Sequence, residues 1–361
     1  MMKIPYMDLR VRSKKKKQQL LLSVERVLSH GRIILGPEVK TFEDEIASIC
    51  HTEHAVGMGS GTDALYLALR SLDIGPGDEV ITSPLSWIAT VNAIVLCGAK
   101  PVFVDISDDM NINASLIENA ITSKTKVILP VHYTGRMCDM VKIASIASNK
   151  GISIVEDAAQ AFGAHINGSM AGSFGKVSAF SMNAMKGLNS YGEAGAVITN
   201  SEILAKKLRS LSYAGTINKE DCHYPSLNGR MDTIQAAMLL VSLGYLEAKI
   251  SRRQEIARYY TDILNDVIAC PKEDGSFQVY YNYVVRSENR DELKSYLDSK
   301  GVETKIHYPI LMPFHAAYRR DFLDCDLPVA KHTVKEILSI PNHEDLTDSE
   351  VEYVAKCIRE F

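Results

Sequence analysis

The chain has 361 residues, more than the roughly 250–300 that one hydrophobic core usually serves, so a large domain with a smaller companion is expected. At 46% hydrophobic and 23% charged residues it is globular, which excludes long disorder, a collagen repeat and a disulfide scaffold. A formal charge of -4 supplies no global positive field for nucleic acid.

The opening MMKIPYMDLRVRSKKKK contains no apolar run of signal-peptide length, and the longest apolar run, 236–246, is far short of a bilayer span. The sequence is therefore read as soluble and cytoplasmic, with no membrane partner. The four lysines at 14–17 read as the solvated first turn of an N-terminal helix. Seven cysteines show no CxxC pair and no metal-ligand spacing, so they read as small buried residues in a reducing compartment, and no metal site is expected.

From 54 to 200 a short Val/Ile/Ala-rich run, a glycine or polar break and a segment of helical period recur. The runs are HAVGMG (54–59), EVITSP (79–84), KPVFVDI (100–106), TKVILPVH (125–132), GISIVEDA (151–158), KVSAFSM (176–182) and AGAVITN (194–200). Leu65, Ala68, Leu69 and Leu72 keep one-sided helical spacing, and 86–97 and 139–149 are helix-compatible. This alternation predicts an α/β fold, a mostly parallel seven-stranded sheet between helices, with its ligand site at the carboxyl ends of the strands.

After residue 200 the pattern changes. Ile234, Met238, Val241, Tyr245 and Ala248 predict one long helix from about Asp232 to Leu264. FQVYYNYVV (277–285) then reads as a strand, RDELKSYLDSKG as a helix closed by Gly301, and VETKIHY as a second strand. The predicted division is a large domain at 1–240 and a small C-terminal α+β domain at 241–361, joined by the long helix.

Four features stand at predicted strand ends. Gly59-Ser60-Gly61-Thr62-Asp63 precedes a helix, as a phosphate cradle would, although a plain strand-to-helix turn capped by Thr62 reads equally well. Asp157 ends an apolar run and is either a helix cap or the partner of a protonated ring nitrogen. Lys186 sits in a loop of small residues after Ser181, where a destabilised ammonium can act as a nucleophile toward a carbonyl; most lysines are merely solvated. The single tryptophan, Trp87, is a flat cover for a ring or a core aromatic on a helix over 87–97. Together they form the constellation that a pyridoxal 5'-phosphate site needs: phosphate donors, ring cover, acid and lysine.

The chain resembles the DegT/DnrJ-type sugar aminotransferases, pyridoxal-phosphate enzymes of the aspartate-aminotransferase fold, from Ile4 to nearly the C-terminus. The likeness rests on GPEVKTFEDEIA (36–47), GSGTDALYLAL (59–69), GPGDEVI (75–81), NAIVLCGAKPVFVDI (92–106), PVHYTG (130–135), IVEDAAQAFGA (154–164), FSMNAMKGLNSYGEAGAV (180–197), LNGRMDTIQAAML (227–239) and KIHYP (305–309). The resemblance implies Lys186 as the lysine that forms the Schiff base, Asp157 on the pyridine nitrogen and Gln160 near the phenolic oxygen. It also implies Gly61, Thr62 and Ser181 on the phosphate, Trp87 over the ring, and a homodimer in which Asn228 reaches the phosphate of the neighbouring subunit's cofactor. Arg230, His307 and Tyr308 are the candidates for substrate binding, against bland readings as a capping arginine and a turn before Pro309.

The sequence departs from the family pattern in three places. Gly187 follows the lysine where asparagine is common, the later glycine run is Gly192-Glu193-Ala194-Gly195, and Met182 to Met185 replace an aromatic and a proline. The expected reaction moves an amino group from an amino-acid donor, with glutamate usual for the family, to a keto sugar, most often nucleotide-linked and serving lipopolysaccharide or other polysaccharide synthesis. A free keto-sugar acid, a non-catalytic cofactor-binding regulator, and a desulfurase or aldolase are the alternatives; Lys186 argues against the related dehydratases, which carry histidine there.

Overall fold

The computed structural model describes residues 3–218, 220–322 and 325–361. Seven strands, β1 (His54–Met58), β2 (Glu79–Thr82), β3 (Lys100–Phe103), β4 (Thr125–Leu129), β5 (Ser153–Asp157), β6 (Val177–Ser181) and β7 (Gly195–Thr199), form one sheet in the order β1-β7-β6-β5-β4-β2-β3. All seven fall inside the seven predicted runs. Within the sheet only β7 runs antiparallel to its neighbours.

Alternation along each strand divides the apolar residues between two faces, and both faces are covered. Ile154, Phe180 and Ile198 join a cluster with Phe42, Ile46 and Ile143, whereas Val155, Val177 and Val197 join Leu65, Leu67 and Leu208 on the other side. The covering helices include α1 (Lys14–His30), α2 (Pro37–Ile49), α3 (Gly61–Ser71), α4 (Ala89–Leu96), α5 (Ala114–Ala120), α6 (Met140–Lys150) and α7 (Glu202–Ser212). The lysine run does open α1, where the Ser13 hydroxyl accepts the Lys16 N–H at 3.2 Å; at the far end Gly31 takes φ +70°, the left-handed stop that glycine adopts without strain.

The long helix is in fact two, α8 (Thr233–Leu243) and α9 (Leu246–Leu264), bent by 58°. Gly244 stands at the break, and the apolar stripe runs through it in phase, so periodicity carries no trace of the bend. The expected strand over 277–285 shrinks to β8 (Tyr283–Arg286). Tyr280 at φ +44° interrupts the extended run, and Val279 and Asn282 donate their N–H groups to Gly135 and Thr134 of the large-sheet loops. The expected strand over 302–308 makes only single bridges, Val302 to Ile4 and Lys305 to Ser339; the antiparallel partner of β8 is β9 (Ile337–Ile340). Helices α10 (Arg290–Ser299), α11 (Pro328–Glu336) and α12 (Asp348–Glu360) complete this part. Its own apolar cluster gathers Tyr260, Tyr283, Leu297, Leu338 and Val354 together with Ile4 from the start of the chain.

Of the cysteines, Cys50, Cys97, Cys138 and Cys357 are buried as expected, but Cys222 is exposed in a two-residue strand pairing and Cys270 and Cys325 are half-buried. No single helix among the described residues is long and apolar enough to cross a membrane.

Candidate active site

The carboxyl ends of β1, β5 and β6 bring their loops to one edge of the sheet. After β1, Ser60 caps α3 by accepting the Asp63 N–H at 3.0 Å. A Cβ on Gly61 would stand 2.4 Å from the Ser181 Cβ, and one on Gly195 would stand 2.4 Å from the Ser60 carbonyl oxygen. Only glycine at both positions lets the start of α3 touch the end of β6 and the start of β7. This contact sets the Ser181 hydroxyl against the first turn of α3, to which Thr62 belongs, at the positive end of a helix, a seat suited to phosphate.

Asp157, 3% exposed, closes β5. Its Oδ2 accepts the Thr90 hydroxyl at 2.8 Å and its Oδ1 accepts the Ala159 N–H at 3.2 Å. Burial raises its pKa, and Thr90, Ala159 and the nearby Lys186 charge offset that only in part. Turns rather than a helix follow Asp157, so helix capping is not its task. A buried carboxylate left with this demand fits a protonated ring nitrogen. Gln160, also buried, has its Oε1 held by the Thr134 N–H at 2.9 Å.

Lys186 lies in the loop after β6, its N–H donating to the Asn183 carbonyl at 2.8 Å. The loop is closed by Asn183 Nδ2 on Glu193 at 2.6 Å and by the Ala184 N–H on the Gly192 carbonyl. The ammonium stands 4.7 Å from the centre of the Tyr281 ring, and Gln160, Ser181, Lys186 and Tyr281 line one small cavity. The departures from the family pattern are sterically mild. Ala194 is fully buried with its methyl group accommodated, and Gly187 has ordinary backbone angles with open space where a side chain would stand.

Trp87 precedes α4 rather than belonging to it and is 57% exposed, so it is not a core aromatic. Its ring lies 5.7 Å from Tyr308, which in turn lies 5.3 Å from His307. The His307 Nδ1 is 2.9 Å from the Ser339 hydroxyl, and its carbonyl accepts the Tyr133 hydroxyl. Burial above all, then the charges of Lys186 and Lys305, pushes the imidazole down to about 4, so it is neutral near pH 7. Asn228 and Arg230 occupy a different neighbourhood. The Arg230 Nε donates to Asn228 Oδ1 at 2.8 Å, its guanidinium lies 3.9 Å from the Tyr213 ring centre, and the intervening Gly229 carbonyl accepts the Gly59 N–H. Asn228 itself is exposed.

Sequence reasoning missed Thr90 and Tyr281, whose roles come from contacts across 67 residues and between the two parts of the chain; no local pattern marks them. It also missed Glu156, although two adjacent acids at a strand end must face opposite sides. Glu156 is fully buried on the far face and accepts from His132 Nε2 at 2.9 Å, from the N–H groups of Gly172, Phe174 and Gly175, and from the Ser178 hydroxyl. Because His132 Nδ1 accepts the Cys138 N–H, its proton is on Nε2.

The residues present fit pyridoxal phosphate: a glycine-lined seat at a helix start, a buried acid with unmet demand, and a lysine beside both. Comparison with known proteins agrees. The profile of the DegT/DnrJ/EryC1/StrS aminotransferase family matches residues 14–359. A pleiotropic regulatory protein of Geobacillus stearothermophilus is 38% identical over 100% of this chain and 99% of its own. A dTDP-3-amino-3,4,6-trideoxy-alpha-D-glucose transaminase of Streptomyces venezuelae is 38% identical over 99% of this chain and 96% of its own. The crystal structure of S. venezuelae DesV in complex with a ketimine intermediate superposes with TM-score 0.97 at 38% identity, covering 100% of this chain and 98% of that one. The chain belongs to the DegT/DnrJ/EryC1/StrS aminotransferase family and is a pyridoxal-phosphate-dependent transaminase.

Proposed function

We propose that this enzyme moves an amino group from an amino-acid donor, glutamate being the expected one, to the keto group of a nucleotide-linked sugar. The reading is carried by the Lys186 ammonium lying within electrostatic reach of both the buried, under-satisfied Asp157 and the buried His307, and it is supported by the full-length likeness to a dTDP-sugar transaminase. The bound cofactor supplies an electron sink for the pair released at the donor α-carbon. Lys186 Nζ would hold the cofactor through its aldehyde group and, once freed by the donor amine, its Nζ would take the proton from the donor α-carbon and, in the second half, deliver one to the carbon of the sugar that becomes aminated. Asp157, oriented by Thr90, keeps a proton on the ring nitrogen. Gln160, fixed by the Thr134 N–H, stands at the phenolic oxygen, while Gly61, Thr62 and Ser181 bind the phosphate and Trp87 covers the ring.

His307 and Tyr308 form the substrate wall. Asn228, exposed, and Arg230, half-buried, both tied to the β1 end rather than to Lys186, serve the neighbouring site of a homodimer. Residues 1–240 would act as the cofactor-bearing unit and 241–361 as a lid, joined by the α8–α9 pair.

The test is to incubate cofactor-loaded enzyme with glutamate and dTDP- or UDP-linked 3- and 4-keto sugars and to follow amino-sugar formation. Lys186→Ala is expected to abolish both the visible absorbance of the bound cofactor and turnover. Normal turnover by that variant overturns the assignment of Lys186, and amination of free keto-sugar acids alone overturns the nucleotide-linked acceptor. A relative named as a regulator makes a second outcome specific: cofactor bound, with no amino transfer from glutamate, would favour the regulatory reading.

A further inference from the structure

A cavity of about 260 Å³ opens on the flank of Lys186, walled by Ala184 and Met185 on one side and by segments 7–16, 245–253 and 343–345 on the others. Its charge is unbalanced. Arg10 and Arg12 share the single carboxylate of Asp8, at 2.9 and 2.8 Å, and Lys249 and Arg253 share that of Glu344, at 2.9 and 3.0 Å. Lys16, half-buried, makes no ion pair among the described residues; its ammonium approaches the Tyr245 ring at 5.2 Å, and burial together with the Lys249 charge lowers its pKa against the opposing pull of the Glu344 and Asp345 carboxylates. Arg252 is matched by Glu255 and Asp348 outside the cavity, and Asp345 is the one further acid lining it. Asp8 and Glu344 are thus each outnumbered two to one by their cations, and the Lys16 ammonium makes no ion pair among the described residues.

The same cavity holds a neutral acceptor. His343, 3% exposed, faces the Pro5 carbonyl with Nε2 at 3.3 Å, so that nitrogen carries the proton, and Nδ1 has no partner in the protein. A buried bare acceptor is costly unless a ligand donates to it. Excess positive charge beside a hydroxyl-seeking nitrogen, next to the reactive amine, matches an anionic group joined to a polyol.

We infer that this cavity seats the anionic group that a substrate carries beyond its reacting carbon, and that the diphosphate of a nucleotide-linked sugar is the favoured occupant over the distal carboxylate of the amino donor. The inference rests on the proposed aminotransfer to a sugar but is tested by binding rather than turnover. Arg10 and Arg12, whose Nε and Nη2 are held by Asp8, present their remaining guanidinium N–H groups at the exposed mouth, Lys16 supplies a point charge, and His343 a partner for a sugar hydroxyl.

The experiment is calorimetric titration of the cofactor-loaded enzyme with UDP, dTDP and glutarate as separate probes, in wild type, Lys16→Ala, Lys16→Arg and Arg12→Ala. All four proteins are compared by melting temperature first. UDP or dTDP binding is expected to weaken about tenfold in Lys16→Ala and Arg12→Ala, to recover in Lys16→Arg, and to fall as salt rises. Loss confined to glutarate overturns the favoured source and assigns the cavity to the donor carboxylate. Nucleoside diphosphate and glutarate affinities within twofold of wild type in both alanine variants overturn the inference altogether, even if keto sugars are aminated. Conversely, Lys16-dependent diphosphate binding with no amination of any sugar would leave the cavity standing and overturn the proposed reaction.

Discussion

Glu156 and Asp157 are neighbours on one strand, both buried, and they meet opposite fates. Glu156 looks into the face packed by Ile154 and Phe180; burial pushes its pKa up, but His132 and the amides of Gly172 and Gly175 more than offset this, so it ends lowered. Asp157 looks toward α4 and the lysine loop with two donors only, and ends raised. The same chemistry therefore serves structure on one face of the sheet and waits for a ligand on the other. A buried charge that is fully supplied with donors anchors the 172–175 turn, whereas one left short binds what completes it.

Neutralising each acid in turn breaks this comparison most sharply. Asp157→Asn is expected to cut kcat by about a thousandfold, a loss of the size expected when a charge essential to the electron sink is removed. The cofactor-free variant should melt no lower than wild type, because a raised carboxyl is a burden near neutral pH: its folded form is favoured at low pH and that advantage is lost as pH rises through the folded value. A clear drop in the melting temperature of the cofactor-free protein would show that Asp157 is structural. Glu156→Gln is the mirror image, expected to destabilise by about 3 kcal/mol by leaving its donors badly matched, with activity per folded molecule largely retained. Denaturant unfolding alongside kinetics separates the two effects.

His307 sharpens the picture on the proposed substrate wall. A folded value of about 4, set by burial and by Lys186 and Lys305, lies below the unfolded value. The unfolded chain thus takes up the proton first, and stability is lost as pH falls from the ordinary histidine value toward 4, by up to about 3 kcal/mol. His307→Asn should flatten that part of the stability profile. The smallest effect is expected at Gly187, which has ordinary backbone angles and empty space where a Cβ would stand: Gly187→Asn, restoring the residue common in the family, should change stability by less than about 0.5 kcal/mol. A larger change would mean that the loop around Lys186 is more tightly constrained than its neighbours indicate.

Much of this was legible in the residues. Strand alternation and Val/Ile/Ala runs mark all seven sheet strands; Asp157 ends one, Ser60 stands just past another, and Lys186 lies in the loop that follows a third. The second half of the chain was less readable. The bend at Gly244 preserves the phase of the apolar stripe, and the short ILSI strand at 337–340 carries no alternation that distinguishes it from the end of α11. Trp87, ambiguous as a helix residue, is resolved only by its exposure ahead of α4.

By itself the sequence determined the sheet and pointed to the strand edge and the loop lysine of the proposed site, because a strand's period and a loop's composition are local properties. The tertiary structure decided which acid faces the site, since adjacent side chains on a strand part to opposite faces and only packing tells which face is supplied with donors. It also decided that a chain of net charge -4 assembles an excess of cations beside Lys186, drawing Arg10, Lys16, Lys249 and Arg253 from segments up to 243 residues apart, with His343 completing the wall. Net charge sums over the whole chain, whereas a binding field depends on which charges the fold brings together and which of them it leaves unpaired.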